Sequence, residues 1–211
     1  AEKLTEPPLV SDDAVVLLHS GTIYPTPDRD PSHFFRALRR VLDQRLPSAR
    51  PVKVVLRASG VESLYVDLLS RLSLTEHVLF SPALAYETAL REMMDADGLI
   101  IFQGDTSNPA IPAKLYEYFR ARRPILALAD REGETAKLIL KEAAGQVAPL
   151  DDDELIAEAL TKVLGDIENA QPRLMEPSRI AAYERAQGVA KFAALFDGVG
   201  SVRLPASSVA G

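Results

Sequence analysis

Six short apolar runs, each followed by a segment with helical spacing, constrain the fold of this sequence more than any other feature. The first run, AVVLLHS (residues 14–20), is apolar up to its last two residues, as strands buried on both faces of a sheet are. Such alternation predicts an α/β fold: a Rossmann-like three-layer α/β/α domain with a mostly parallel six-stranded sheet and right-handed crossovers. The predicted strands are residues 14–20, 52–59, 77–80, 98–102, 124–129 and 145–150, and the predicted helices are 31–46, 61–74, 85–96, 112–121, 134–143 and 151–167.

The 211 residues leave room for one substantial domain and an appendage. We expect residues 1–13 to be a linker or tail, and residues 14–167 to be the Rossmann-like domain. Residues 168–199 are predicted to hold a turn-rich linker and a C-terminal helix, and residues 200–211 a disordered tail. Since the sequence does not start with Met, we expect it to be part of a longer protein.

Charge and composition exclude several classes of function. A net charge of −6 argues against a general nucleic-acid binder, which needs a surplus of Lys and Arg. Without cysteine there are no disulfides, thiolate metal ligands or thiol nucleophiles. No uninterrupted apolar stretch reaches ~18 residues, so we expect a cytoplasmic protein. The acidic triplets 95–97 and 151–153 precede a strand and begin a helix, positions that favour structural roles, so no metal or other cofactor is expected.

The loops that follow the predicted strands are where a ligand is expected, because open parallel sheets bind ligands at the carboxyl ends of their strands. They span residues 19–31, 57–62, 80–86, 102–113 and 129–134. The first and fourth exceed the roughly two to six residues that such connections usually need. The fourth loop includes FQGDTSNPA (102–110), which offers almost nothing to bury.

The short helix predicted at residues 112–121 carries an unusual set of charges for its length. Pro112 fits the first helical position, which would direct the N–H groups of Ala113, Lys114 and Leu115 toward the loop. A helix N-terminus with a lysine favours an anion such as phosphate. Glu117 lies one turn further along, and its carboxylate suits a vicinal pair of sugar hydroxyls. Phosphate and ribose together indicate a nucleotide; the alternative is that Lys114 and Glu117 form an ordinary exposed i,i+3 pair.

Several ordered motifs resemble the carboxyl-terminal domain of GT-B glycosyltransferases of the family-4 type. PAKLYEYFRARRPILAL (112–128) resembles their donor-site helix and the strand that follows it. VLLHSGTIYPTPDRDP (16–31) is similar to their first strand and glycine loop, and VVLRASG (54–60) to the second strand and its loop. Residues 76–102 resemble the base-binding loop, helix and next strand.

This resemblance implies a role for each matching position. The backbone of Gly21 and Thr22 would approach the distal phosphate or the sugar, and Arg29 would pair with the diphosphate. Lys114 and Leu115 would meet the phosphates, and Glu117 the ribose. The base would lie in a frame formed by the stretches Arg57 to Gly60 and Ser81 to Leu84.

The resemblance also implies what the whole protein does. The chain would be the nucleotide-sugar-binding half of a transferase in polysaccharide or glycoconjugate biosynthesis, with no metal required. The acceptor site and the catalytic group would lie on an absent amino-terminal domain. The C-terminal helix would pack toward that domain; the alternative is that it packs on its own sheet. If the protein associates peripherally with a membrane, the absent half would make that contact.

One position departs from the family pattern, in which a first glutamate precedes the second by eight residues. Pro109 stands there, which leaves Asp105 or Asn108 as substitutes and puts the sugar and the activity in doubt. The competing interpretation is therefore a non-catalytic nucleotide-binding or interaction module of flavodoxin-like fold. His19, at the end of the first strand, is a further candidate for lining the cleft.

Overall fold

The computed structural model describes residues 13–24, 29–170 and 174–183. Across these residues six strands form one sheet in the order β3-β2-β1-β4-β5-β6, and every neighbouring pair is parallel. The predicted α/β class is therefore confirmed, with a sheet that is wholly parallel. The strands are β1 (Val15–Ser20), β2 (Val52–Arg57), β3 (Val78–Ser81), β4 (Gly98–Phe102), β5 (Ile125–Leu128) and β6 (Gly145–Ala148).

Helices connect the strands close to where the periodicity predicts them. They are α1 (Ser32–Gln44), α2 (Glu62–Arg71), α3 (Tyr86–Asp95), α4 (Lys114–Ala121), α5 (Glu134–Lys141), α6 (Asp153–Glu168) and the single turn α7 (Pro177–Ile180). Asp152 caps α6 by accepting the N–H groups of Glu154 (3.0 Å) and Leu155 (2.9 Å), as expected of the acidic triplet at 151–153.

The sheet is buried on both faces because its side chains alternate between two helical layers. On β1, Val15 and Leu17 join a core with α1, α2 and α6, to which Phe34, Tyr65 and Leu160 belong. Val16 and Leu18, equally buried, point to the opposite face. That face lies under α3, α4 and α5, which bury Met93, Leu115, Phe119 and Ile139.

The chain divides into two compact units, one that ends at Met175 and one that begins at Glu176. Met175 is buried in the first unit. Of the helix expected over 178–199, the structure describes α7 and a 3₁₀ turn (Ala181–Tyr183); the remainder lies outside the described residues, as do residues 1–12 of the expected linker and the tail at 200–211. Within the described part of the chain, every helix is too short or too polar to cross a membrane.

The strand order reverses between β1 and β4, which are neighbours in the sheet although five elements separate them in sequence. The chain leaves β1 toward β2 and leaves β4 toward β5, so the loops after these two strands diverge. This switch point opens a crevice at the carboxyl ends of the strands.

Candidate nucleotide site

Gly21 directly follows β1 and adopts a backbone conformation that disfavours other residues, with φ at +118°. Its N–H donates to the carbonyl of Arg57 at 2.9 Å, which ties the loop to β2. A Cβ at this position would lie 2.9 Å from Nζ of Lys114. The glycine is therefore required by its φ, and any side chain there would also have to displace the ammonium group packed against it.

Lys114 is the first residue of α4, and this corrects the expectation for Pro112. Pro112 lies two residues before the helix, and its carbonyl accepts the N–H of Leu115 at 2.9 Å. The N–H of Leu115 is thus engaged within a tight first turn and does not serve the loop as predicted. The positive charge next to Gly21 is that of the Lys114 side chain.

His19 lies beneath these two residues and is almost fully buried, with 2% of its surface exposed. Its Nδ1 is 3.0 Å from the carbonyl of Ile100, and its Nε2 is 3.1 Å from that of Gly21 and 3.5 Å from Nζ of Lys114. Burial, reinforced by the charge of Lys114, lowers the pKa of His19 to about 3. The imidazole is therefore neutral at pH 7 and links β1, β4 and α4 beneath the site.

The site is electrostatically prepared for an anion. Burial and the nearby charge of Arg29 lower the pKa of Lys114 to about 8, although Glu117 opposes the shift. The guanidinium of Arg29 lies 5.0 Å above the centre of the Tyr24 ring, an arrangement that favours a cation–π contact. The charge of Arg29 thus disfavours the charged form of Lys114, a situation that an anion placed between them would relieve.

Glu117 lies one turn after Lys114 and is half-buried. Its Oε1 accepts the hydroxyl of Tyr86 at 3.0 Å, a contact between α4 and the first residue of α3. Lys114 and Glu117, which the sequence predicts to face the same cleft, lie one turn apart on α4. Tyr86 is not among the predicted site residues; the available signal is its position as the last residue of the loop at 80–86, where a ligand is expected.

A buried hydroxyl, that of Tyr118, fixes α4 to the sheet. The Tyr118 hydroxyl accepts the N–H of Ser20 at 3.1 Å and lies 3.4 Å from the carbonyl of Ile100. Burial raises the pKa of Tyr118 above its ordinary range. Since Ser20 precedes Gly21, this contact holds the glycine loop and Lys114 in register.

The loops expected to frame a base are held together by Arg57, whose side chain is buried. Its Nε and Nη2 donate to the two carboxylate oxygens of Glu92 at 3.0 and 2.5 Å, and its Nη1 donates to the carbonyl of Pro82 at 2.8 Å. The guanidinium thus supports the Ser81 to Leu84 loop from within. Gly60 is exposed with φ at +73°, and a Cβ there would meet nothing within 4 Å.

The loop after β4 is built around a buried amide, contrary to the expectation that it has almost nothing to bury. Gln103, 3% exposed, donates from Nε2 to the carbonyls of Ser107 (2.7 Å) and Ala110 (2.9 Å), and its Oε1 accepts the hydroxyl of Thr135 at 2.7 Å. The loop is therefore fixed by polar contacts instead of apolar ones. A lone glutamine after a strand gives no sequence signal for this role.

Asn108, a candidate for the missing first glutamate, takes part in the same scaffold. Its Nδ2 donates to Oδ2 of Asp130 at 2.5 Å, and its carbonyl accepts the N–H of Glu134 at 3.0 Å. A Cβ at Gly133 would lie 2.9 Å from its Oδ1. Asn108 thus joins the loops after β4 and β5, while Asp105, the other candidate, is exposed in a 3₁₀ turn.

Among the described residues, no cluster of three or more His, Cys, Asp or Glu side chains is placed to hold a metal ion.

Comparison with known proteins gives matches in structure alone. No protein-family model matches the sequence, and no curated protein matches it. A glycosyltransferase from Rickettsia africae superposes with a TM-score of 0.71 at 11% identity, covering 92% of this chain and 50% of the other. TarM from S. aureus superposes at 0.61 and 13% identity, covering 92% and 38%. For the C-terminal domain of LpcC, a group 1 family glycosyl transferase from Francisella tularensis, the values are 0.56 and 13%, covering 74% and 78%.

These matches establish the fold. The chain has the architecture of the carboxyl-terminal domain of GT-B glycosyltransferases, as the sequence motifs predicted. It spans half or less of the Rickettsia africae and S. aureus proteins.

Proposed function

We propose that this domain binds the nucleoside diphosphate of a nucleotide sugar and serves as the donor half of a glycosyltransferase. The observation that carries the proposal is the packing of Lys114 against Gly21, with Nζ 2.9 Å from where a Cβ would stand. A cation held against a loop without a side chain leaves backbone and ammonium open to the same ligand. Glu117, one turn further, adds an acceptor for hydroxyl groups.

A nucleoside diphosphate matches the order of these groups along the crevice. Its phosphates would lie between the Gly21–Thr22 backbone, Arg29 and Lys114, and its ribose would donate to Glu117. The base would extend toward Gly60 and the loop at 81–84. The S. aureus neighbour was solved in complex with UDP and alpha-GlcNAc-glycerol, which supports a ligand of this class.

The chemistry of transfer assigns the two cations a further role. When the glycosidic bond to the diphosphate breaks, negative charge develops on the departing phosphate oxygen. Arg29 and Lys114, preorganised before the ligand arrives, would stabilise that charge directly, so the proposal requires no metal. Because Lys114 is partly desolvated, its charge acts more strongly than it would in water.

The remaining parts of the reaction belong to the parent protein. We expect the acceptor site and the catalytic group on an amino-terminal domain, since transfer needs donor and acceptor held in one geometry. A polysaccharide or glycoconjugate acceptor and a cytoplasmic location are part of the same proposal. Alone, this chain is expected to bind a nucleotide weakly and to transfer no sugar, because one wall of the cleft would be absent.

One observation favours the second candidate, a nucleotide-binding module without turnover. Pro109 occupies the position of the family's first glutamate, and the neighbouring Asn108 side chain is engaged with Asp130. A domain that lost its sugar contact could retain the nucleotide site. Turnover after addition of the amino-terminal part of the parent protein distinguishes the two candidates.

A calorimetric screen of UDP, GDP and ADP tests the site itself, with Gly21→Ala as the diagnostic variant. At least one diphosphate should bind the wild-type chain, and Gly21→Ala should weaken that binding, because the new methyl group displaces Nζ of Lys114 and alanine is strained at this φ. Gly165→Ala is the matched control, since a Cβ there meets nothing within 4 Å. Binding that survives Gly21→Ala unchanged would place the nucleotide elsewhere.

A further inference from the structure

We propose that Tyr86 is a positioning residue for Glu117 and thereby sets the selectivity of the site for ribose; this inference rests on the proposed function. Tyr86 is the first residue of α3, and its hydroxyl donates to Oε1 of Glu117 at 3.0 Å. Its side chain is 65% exposed. A tyrosine that buries so little of its ring is not held in place by core packing, and its hydroxyl makes a polar contact with Glu117 between α3 and α4.

Without this contact Glu117 has a competing partner on its own helix. Lys114 lies three residues earlier, and a lysine and a glutamate at this spacing attract each other. The charge of Glu117 already acts on Lys114, since it partly opposes the lowering of the Lys114 pKa by burial and by Arg29. A Glu117 side chain drawn onto Lys114 would neutralise the phosphate-binding cation and turn its own carboxylate away from the ribose.

The hydrogen bond from Tyr86 leaves the carboxylate able to bind a diol. A carboxylate has two oxygens, each with two acceptor positions. Tyr86 occupies one position on Oε1, so Oε2 and the second position on Oε1 remain for two hydroxyl donors. Tyr86 therefore need not move when ribose binds, and it orders the glutamate beforehand, which reduces the cost of binding.

Helix α3 buries few apolar side chains but is held to its neighbours by two polar contacts. Glu92 in its second turn pairs with the buried Arg57 at 2.5 Å. At its end, the carbonyl of Met94 accepts Nε of Arg123 at 2.7 Å. These two attachments fix α3 against β2 and against the start of β5, so that Tyr86 approaches Glu117 from a rigid support.

The test is the ratio of two affinities, measured by calorimetry for Tyr86→Phe and for the wild-type chain. The ligands are a ribonucleoside diphosphate that binds (UDP, GDP or ADP) and its 2′,3′-dideoxy analogue. Loss of one ordering hydrogen bond should lower the ribo-to-dideoxy ratio by about three- to tenfold. Thr88→Val, which removes an exposed hydroxyl from the same turn of α3, is the matched control and should keep the wild-type ratio.

Glu117→Gln separates this inference from the proposed function. It should lower the same ratio, and Tyr86→Phe added to it should cause no further loss, because the two residues act through one carboxylate. If Glu117→Gln lowers the ratio and Tyr86→Phe does not, the positioning role is wrong and the nucleotide site stands. A Tyr86→Phe variant with a raised ratio would show that Tyr86 competes with ribose, which also overturns the inference. If neither variant changes the ratio, the ribose assignment of Glu117 is wrong as well.

Discussion

Nζ of Lys114 lies 3.5 Å from Nε2 of His19, so a lysine contacts a buried imidazole at the switch point of the sheet. The neutral imidazole has a single N–H for two flanking carbonyls, those of Ile100 and Gly21. With Nδ1–H donating to Ile100, Nε2 is left to accept a hydrogen from the ammonium. His19 thus supports the Lys114 side chain from beneath.

The low pKa of His19 makes the fold sensitive to mild acid. The folded state holds His19 neutral down to about pH 3, whereas the unfolded chain protonates it near 6.5, so the unfolded state binds more protons as pH falls below 6.5. Between pH 7 and pH 5 this linkage should cost about 2 kcal/mol of stability. Denaturant unfolding at both pH values measures it.

His19→Asn should reduce that acid-dependent loss, and His77→Asn, which leaves the His19 contribution intact, is the control. The stability of His19→Asn at pH 7 is of secondary interest, because the prediction concerns the difference between the two pH values. An equal loss in wild-type protein and His19→Asn would show that His19 is not the responsible group.

The largely buried charge of Lys114 should lower the stability of the folded domain. Its pKa is about 8 in the folded protein and 10.5 ordinarily, so the folded state binds fewer protons than the unfolded state between these pH values. The cost is present in full below pH 8 and disappears as pH rises to 10.5. Lys114→Met should therefore be more stable than wild type at pH 7, by up to about 3 kcal/mol, while losing diphosphate binding.

Thermal unfolding of Lys114→Met and wild type from pH 7 to pH 10 checks this prediction. The advantage of the variant should shrink across that range. A variant that is less stable than wild type at pH 7 would mean that the ammonium is favourably paired within the empty site.

Arg57 should prove to be a structural support and not a ligand contact. Arg57→Ala leaves the Glu92 carboxylate buried beside an unpartnered Pro82 carbonyl, which should cost about 3–5 kcal/mol. Glu92→Gln keeps two hydrogen-bonding atoms beside the guanidinium and should cost less. Denaturant unfolding ranks the two variants; a fully stable Arg57→Ala that loses nucleotide affinity would instead assign the guanidinium to the ligand.

The sequence predicts the parts of this molecule that depend on periodicity and short motifs. The apolar runs predict all six strands of the sheet, and the resemblance to GT-B donor domains predicts that Gly21 and Lys114 meet at one edge, as they do. Long-range polar contacts leave no such pattern. The pairing of Tyr86 with Glu117 and of Gln103 with Thr135 joins residues about thirty positions apart, which only the assembled fold brings together.

Helix ends are the second place where sequence reasoning fails. Pro112 carries the residue preference of a first helical position, but the chain makes a tight turn there and α4 begins at Lys114. Because of this tight turn, the N–H of Leu115 is not available to the loop as predicted, whereas the Lys114 side chain lies against Gly21. Lys114 consequently has the larger part in the proposed mechanism.

The most direct test of the account compares a nucleoside diphosphate with its nucleoside in calorimetric titrations of wild type, Lys114→Ala and Lys162→Ala. Lys162, exposed on α6, is the control for removing a lysine charge. Lys114→Ala should weaken diphosphate binding by about ten- to a hundredfold, the scale of a charge-assisted hydrogen bond, and leave nucleoside binding nearly unchanged. Equal losses for both ligands, or none, would contradict the claim that Lys114 and the Gly21 loop hold the diphosphate.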